Sequence, residues 1–263
     1  MKRVATASAL EWTLRTGAFL CFVGHGAFGV LTKAAWVTYF GVVGIGSDTA
    51  YRVMPFVGVV DITAGCLVLV GARPIYAVWM LVWAVWTALL RPLSGESGWE
   101  AVERAGNYGV PAALLVLTWA PARWRGAFRI ARMRELTPRV LTLARRTLSA
   151  ALVLLVLGHG ALGVEGKTGL VQNYASIMSE ASAAQLTPIL GWFEIGLAVV
   201  ASLWQPMAFL IFVAAWKLAT ELLFLTAGAP IWEVVERGGS YTVPLALAIV
   251  VTLQASKRTS AES

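Results

Sequence analysis

The residues of this sequence that could do chemistry are ionisable side chains that lie inside apolar segments. A histidine between two glycines occurs at His25 and again at His159, and an acid lies in the next apolar run of each half, at Asp61 and Glu194. A later pattern, Trp-Glu-x-Val-Glu-Arg, also occurs twice, each time with a tyrosine four residues after the arginine. Its candidate residues are Glu100, Glu103, Arg104 and Tyr108 in the first occurrence, and Glu233, Glu236, Arg237 and Tyr241 in the second.

Two interpretations of the histidines stay open. We favour a hydrogen bond between each imidazole and a nearby carboxylate, with Asp61 as the partner of His25 and Glu194 as the partner of His159. The alternative is haem ligation by the two histidines, because the flanking glycines would leave room for a porphyrin. A zinc site built from one histidine and acids would need three convergent ligands, which spacing along the chain does not demonstrate.

The acid and arginine block is compatible with three roles. Glu100, Arg104 and Tyr108 are spaced four residues apart and therefore share one face of a helix. In the first interpretation the block is a structural ion network that fixes the order of the helices. In the second it forms the polar end of a cavity for an amphiphilic ligand, and in the third it is part of a proton relay. The spacing Ser97-x-x-Glu100 predicts a capping box at the start of this helix, and Pro111 predicts a disturbed backbone a turn or two later.

The two occurrences are not equivalent everywhere. Lys217 and Glu221 are four residues apart in an apolar run of the second half, where the first half has Ala84 and Ala88. The second half is therefore predicted to contain an extra ion pair within the membrane, and the two halves need not do the same job. Each of the two cysteines aligns with a different residue type in the other half, which excludes a dithiol mechanism common to both.

The elements that must position these residues follow from the composition. Hydrophobic residues make up 58% of the chain and charged residues 13%, against about 45–50% and about 25% in ordinary globular domains, which excludes an ordinary soluble domain. A hydropathy window of about 19 residues predicts an all-α, polytopic membrane protein with eight transmembrane helices. The predicted spans are 12–31, 53–72, 74–92, 99–120, 147–164, 186–204, 206–225 and 231–253.

The second half of the chain repeats the first. The histidine blocks are offset by 134 residues and the Trp-Glu blocks by 133. Four spans in each copy mean that both copies enter the membrane in the same direction, so a pseudo-twofold axis along the membrane normal relates them. We predict a first four-helix repeat over 1–120, an Arg-rich linker over 121–146 and a second four-helix repeat over 147–263.

Most of the residues behind the net charge of +7 lie on one side of the membrane in this topology. Fourteen of the 21 Lys and Arg residues, eight of them in the linker, fall on one side of the membrane when four spans precede the linker and four follow it. The positive-inside rule makes that side cytoplasmic and places both termini there. The linker arginines suit contact with anionic membrane lipid, and we do not expect nucleic acid as a partner.

An arginine near the start of the first span of each half, Arg15 or Arg146, is followed by a glycine-rich stretch that ends at Lys33 or Lys167 and by acids in the later helices. With these features each half resembles the DoxX-like family of small four-helix membrane proteins, and the chain is similar to a fused tandem pair. The resemblance implies a four-helix membrane fold and an association with membrane redox systems, which include a thiosulfate to quinone oxidoreductase. It also implies an intramembrane cavity, because related eukaryotic proteins bind sterol-like ligands.

We expect a bacterial-type inner-membrane protein that binds a quinone-like or lipid-like ligand in a cavity open to the outer leaflet. It would act as a subunit or accessory of a membrane redox system, with quinone as the candidate cofactor and with membrane lipid and a membrane redox partner chain as partners. One alternative is a proton-coupled or small-molecule transporter that works at the repeat interface. The other is a structural membrane subunit without a ligand of its own.

Overall fold

The structure is a computed structural model, and it describes residues 2–71, 73–119, 127–129 and 133–262. All regular secondary structure in these ranges is helical. The helices of the first half are α1 (Lys2–Val30), a 3-10 turn (Ala34–Trp36), α2 (Val37–Val42), α3 (Ser47–Val70), α4 (Pro74–Leu93), α5 (Trp99–Glu103) and α6 (Ala105–Thr118). Those of the second half are α7 (Pro138–Val164), α8 (Thr168–Ala175), α9 (Glu180–Leu203), α10 (Met207–Thr226), α11 (Trp232–Glu236) and α12 (Gly238–Glu262).

The described helices have the make-up of a multi-pass membrane protein. Six of them, namely α3, α4, α7, α9, α10 and α12, are long and apolar enough to cross a membrane. Helix α1 makes a seventh when it is counted with its continuation beyond residue 33, which bends away by 93°. This confirms the prediction of an all-α polytopic protein. The fourth predicted span differs, because a break at Arg104 leaves α6 with 14 residues.

The breaks before α6 and α12 occur at the two arginines of the repeated block. Arg104 has φ −79° and ψ 11°, and Arg237 has φ −90° and ψ 20°, in a sparsely populated region between the helical and extended conformations. The sequence predicted a disturbed backbone a turn or two into this helix, from Gly106 and Pro111; the break is found one turn in, at Arg104, and α6 runs through Pro111. The predicted capping box was wrong, because the Ser97 hydroxyl accepts a hydrogen bond from the Trp99 N–H (3.3 Å) and no side chain caps α5.

The Arg-rich linker is partly helical. Helix α7 begins at Pro138, where the Thr137 hydroxyl accepts a hydrogen bond from the Val140 N–H (3.3 Å), so the last nine residues assigned to the linker belong to this helix. Arg134 donates to the main-chain oxygens of Val116 and Trp119. The linker residues 121–126 and 130–132, which include three of its eight arginines, lie outside the described residues.

The first two long helices of each half pack antiparallel through glycines. The backbone of Gly58 in α3 lies against Gly26 and Gly29 of α1, and in the second half Gly191 of α9 lies against Gly160 and Gly163 of α7. Because successive long helices reverse direction, the turns after α1, α4, α7 and α10 all lie at one end of the bundle. The candidate site is at this end, opposite both termini.

The two halves also contact each other through glycines. A Cβ atom on Gly24 would lie 2.5 Å from the Cα atom of Glu236, and one on Gly158 would lie 2.7 Å from the Cα atom of Glu103. The two contacts are equivalent: α1 packs against α11, and α7 packs against α5. The main chains that carry Glu103 and Glu236 are therefore held directly against the helices that carry His159 and His25.

Replacing Gly24 with alanine should destabilise the protein by about 1–3 kcal/mol, because the added methyl group has to displace main chain rather than a flexible side chain. Thermal unfolding of the purified protein in detergent measures this loss. Gly41→Ala is the matched control, since a Cβ there meets nothing within 4 Å. Equal melting temperatures for the two variants would contradict the packing described here.

Candidate functional site

Each histidine forms a pair with the acid of the next long helix, as the sequence predicted. His25 Nδ1 lies 2.7 Å from Asp61 Oδ2, and the Trp83 indole N–H donates to the same oxygen (3.3 Å). In the second half His159 Nδ1 is hydrogen-bonded to Glu194 Oε2. Asp61 is fully buried, and its second oxygen, Oδ1, has no partner among the described residues.

In the second half both carboxylate oxygens of Glu194 have partners. Glu194 Oε1 accepts the indole N–H of Trp216 (2.7 Å) and lies 3.7 Å from the ammonium of Lys217. Lys217 has no exposed surface, and its ammonium is also 3.7 Å from Glu221. This confirms the predicted ion pair in α10 and adds Glu194 to it.

Two ion pairs join the halves in a matched manner. Lys33 Nζ lies 2.6 Å from Glu233 Oε1, and Lys167 Nζ lies 2.5 Å from Glu100 Oε1. Each lysine follows the first helix of its own half and reaches the short helix of the other half. Glu100 and Glu233 therefore each bind a lysine of the other half in addition to an arginine of their own half, Arg91 or Arg237.

A third pair across the halves has no counterpart. Arg104 Nη1 lies 2.9 Å from Glu236 Oε1, and both side chains are buried. The equivalent Arg237 instead binds Glu233 (2.5 Å) and Glu221 (3.2 Å). The first half has Ala88 at the position of Glu221, so Arg104 has no equivalent second acid and binds Glu236. Glu103, the counterpart of Glu236, is not bound by Arg237, and its Oε2 is buried without a hydrogen-bond partner among the described residues.

The two tyrosines of the repeated block do not join this network. Tyr108 donates to the main-chain oxygen of Ala101 (3.3 Å), and Tyr241 donates to that of Val234 (3.4 Å). Each hydroxyl therefore spans the helix break next to it. Neither tyrosine lines the two cavities described below.

A cavity of about 290 Å³ opens beside His25, and we call it the apolar cavity. Helices α1, α2, α3 and α4 surround it, and its wall is rich in aromatic rings and aliphatic side chains. Its polar groups include His25, Arg104 and Glu236, and its wall includes Ala84, the residue that Lys217 replaces in the second half. The aromatic residues of the wall are Phe22, Trp36, Tyr39, Phe40, Trp83 and Trp86.

A second cavity of about 190 Å³ lies between the halves, and we call it the polar cavity. Its lining contains two acids, Glu103 and Glu233, together with the His159 ring. Trp36, Tyr39, Arg91 and Arg104 line both cavities, which therefore adjoin. The cationic residues of its wall are Lys33, Arg91, Arg104, Lys167 and Arg237.

The two histidines differ in their surroundings. The side chain of His25 is 18% exposed and lines the apolar cavity, whereas that of His159 is 9% exposed and lines the polar cavity. The rings thus face different cavities and do not face one porphyrin, so the haem interpretation does not fit. In the described part of the chain, no group of three or more His, Cys, Asp or Glu side chains has a metal-binding arrangement.

Sequence analysis missed several residues that shape the site. Arg91 at the end of α4 binds Glu96 (3.1 Å) and lies 3.4 Å from Glu100. Tyr39 of α2 donates a hydrogen bond to Glu96. Lys33 and Lys167 were recognised as equivalent residues of the two halves, but their pairing with acids of the opposite half was not predicted.

No protein-family model, no curated protein and no solved structure matches this chain. The function is therefore argued from the chemistry of the two cavities.

Proposed function

We propose that this chain is a bacterial-type inner-membrane protein that binds one quinone-like or lipid-like amphiphile in the apolar cavity. The observation that carries the proposal is that His25, which is paired with the fully buried Asp61, lines a cavity rich in aromatic rings. Ligand sites are concave and mostly apolar, with a few placed polar groups and volumes from about 300 Å³ upward. The apolar cavity is close to that lower limit.

The histidine pair gives the cavity one versatile polar contact. An ionised carboxylate only accepts hydrogen bonds, so Asp61 fixes the hydrogen of the imidazole on Nδ1. Nε2 of His25 then accepts from a ligand hydroxyl when the ring is neutral and donates to a ligand carbonyl when it is charged. A quinol and a quinone head present these two groups, and the flat rings of Trp36 and Trp83 suit stacking on such a head.

For the architecture we propose two parallel four-helix repeats with eight spans, in which α5 with α6 and α11 with α12 each form one broken span. The matched contacts of Gly24 and Gly158, and those of Lys33 and Lys167, support a pseudo-twofold relation. The positive-inside rule would then place the cavities toward the outer leaflet and both termini in the cytoplasm. The resemblance to DoxX-like proteins supports a role beside a membrane redox partner chain.

Replacing His25 with glutamine should lower the amount of ligand that remains bound during purification by about tenfold, because a neutral amide replaces an imidazole that can be charged, and hydrogen bonds to charged groups are the stronger ones. Mass spectrometry of solvent extracts identifies the ligand and measures it per mole of protein. His159→Gln is the matched control and should keep the ligand of the unmodified protein. Absence of any quinone or lipid above the detergent background in the unmodified protein would contradict the proposal.

A proton-coupled or small-molecule transporter is the second candidate, because a cavity lined by charged side chains lies next to the cavity that His25 lines. Reconstituted liposomes that contain a pH-sensitive dye test this function. Proton uptake that depends on the added amphiphile would favour transport, and a flux no larger than that of empty liposomes would exclude it.

A further inference from the structure

We infer that the ligand head is a flat ring with two polar oxygens, as in a quinol or a quinone, and that Asn107 binds one of these oxygens while His25 binds the other. The inference rests on the proposed function and chooses the quinone-like over the lipid-like ligand. It follows from the polar groups of the apolar cavity that have no partner, from the aromatic rings beside them, and from a difference between the two halves.

Most charged and polar side chains in the wall of the apolar cavity already have partners within the protein. The pairs are Arg104 with Glu236 (2.9 Å), Arg91 with Glu96 (3.1 Å), the Tyr39 hydroxyl with Glu96, and the Thr87 hydroxyl with the main-chain oxygen of Ala84 (3.2 Å). A ligand gains little from such groups, because their existing hydrogen bonds would have to be broken or shared.

Asn107 of α6 presents a free amide to this cavity. Its main-chain N–H donates to the main-chain oxygen of Arg104 (2.9 Å), but its side-chain amide has no hydrogen-bond partner among the described residues. The residue is half-buried, and its amide atoms keep accessible surface, unlike the fully buried Oδ1 of Asp61. An amide has two donor hydrogens and one acceptor oxygen, and the core of a bilayer has no water to bind them. A polar group of the ligand can therefore bind there.

His25 offers the other contact, from a different helix. Its Nδ1 lies 2.7 Å from Asp61 Oδ2, and its Nε2 has no partner among the described residues. The Trp36 ring lies beside the imidazole, with the ring centres 4.4 Å apart, and suits packing against a flat head. A ring with an oxygen at each of two edges can bind α1 and α6 at once. A fatty alcohol or a sterol has a single head oxygen and would leave one of the two side chains without a partner.

The second half lacks this combination of residues. Ser240 occupies the position of Asn107 and lines neither cavity. Lys217, which is fully buried, occupies the position of Ala84 in the cavity wall. The longer amide thus occurs in the half that has the apolar cavity, and the short hydroxyl occurs in the half where a lysine replaces the alanine. This difference supports a role for Asn107 in ligand binding rather than in helix packing common to both halves.

Calorimetric titration of the whole chain in a neutral detergent under nitrogen tests the inference with three probes, namely 2-decylhydroquinone, 3-decylphenol and 1,2-dodecanediol. The phenol is the hydroquinone without one hydroxyl. We expect the hydroquinone to bind about tenfold more tightly than the phenol, because it makes one further hydrogen bond. The diol has two hydroxyls but no ring, and it should bind more weakly than the hydroquinone.

Asn107→Leu should remove this preference, so that the hydroquinone and the phenol bind with similar affinity. The change breaks no side-chain hydrogen bond among the described residues, so the variant is expected to fold, and a melting curve checks this. If it does not fold, Asn107→Ser tests the same contact, because serine already occurs at the equivalent position 240. Asn173→Leu is the matched control, since Asn173 lies in α8 and lines neither cavity, and it should keep the preference.

Equal affinities of the unmodified protein for the hydroquinone and the phenol would overturn the second contact while leaving the proposed function in place. An undiminished preference in folded Asn107→Leu would overturn the role of Asn107. A diol that binds as tightly as the hydroquinone would overturn the flat ring. Failure of every probe to bind, together with solvent extracts that contain no quinone or lipid, would overturn the proposed function itself.

Discussion

Replacing Ala84 with lysine should empty the apolar cavity of its ligand. Ala84 lines this cavity, and the equivalent residue of the second half, Lys217, is fully buried with its ammonium 3.7 Å from Glu194. A lysine at position 84 would reach Asp61 in the same way and fill the space beside His25. We expect the retained ligand, measured by mass spectrometry of solvent extracts, to fall by at least about tenfold, as expected when a polar site is blocked.

The protein should nevertheless fold, because the second half already accommodates this side chain. Asp61 Oδ1 is buried, has no hydrogen-bond partner in the described part of the chain and would accept the new ammonium. Ala84→Leu is the control for volume, since it fills the cavity without adding charge and should also reduce ligand retention. A folded Ala84→Lys variant that keeps its ligand would show that the ligand lies elsewhere.

The reverse change should open a cavity in the second half. Lys217→Ala combined with Glu221→Ala recreates the first-half residues at both positions and frees Arg237 to pair with Glu103. The amount of bound ligand should then rise toward two molecules per chain. An unchanged amount in a folded variant would mean that residues other than these two distinguish the halves.

Removing one partner of the buried pair between Arg104 and Glu236 should strongly destabilise the protein. Both side chains are buried and 2.9 Å apart, so Arg104→Gln or Glu236→Gln leaves one charge without compensation. The expected loss in the free energy of unfolding is about 3–5 kcal/mol for either variant. Equilibrium unfolding of the purified protein in mixed micelles measures this loss.

Two further variants show whether the loss of stability comes from the broken ion pair or from altered packing. Arg104→Met with Glu236→Leu should restore most of the stability, since a buried ion pair can be replaced by apolar residues of similar volume without much loss. Lys33→Gln breaks a more exposed pair between the halves and should cost only about 1 kcal/mol or less. If Arg104→Gln destabilised the protein no more than Lys33→Gln, the buried pair would not join the two halves as described.

Several features of the site could be predicted from the sequence. Polar residues that recur at equal spacing in two apolar halves indicated the pairs of His25 with Asp61 and His159 with Glu194. The exchange of Ala84 for Lys217 likewise indicated an ion pair that only the second half has. Side chains that are costly to bury have to find partners, so their types and periodicity carry information about contacts.

Other features depend on tertiary packing that spacing along one chain does not encode. Glu100, Arg104 and Tyr108 have helical spacing, but the helix breaks at Arg104. Each of these side chains therefore binds a different partner. Glu103 Oε2 has no hydrogen-bond partner among the described residues, whereas Arg237 binds Glu221 on another helix. The short helix α2 covers the apolar cavity, but six residues are too few to give a helical pattern that a hydropathy window could detect.

The central claim is that the amphiphile occupies the apolar cavity of the first half, and photo-crosslinking tests it most directly. An amphiphile with a diazirine on its chain is bound to the purified protein, activated by light and located by peptide mass spectrometry. The account predicts label on the cavity walls in α2, α3 and α4, around Phe40, Val57 and Trp86, and loss of this label in Ala84→Lys. Label spread evenly over the exposed faces of both halves, or concentrated on α9 and α10, would contradict it.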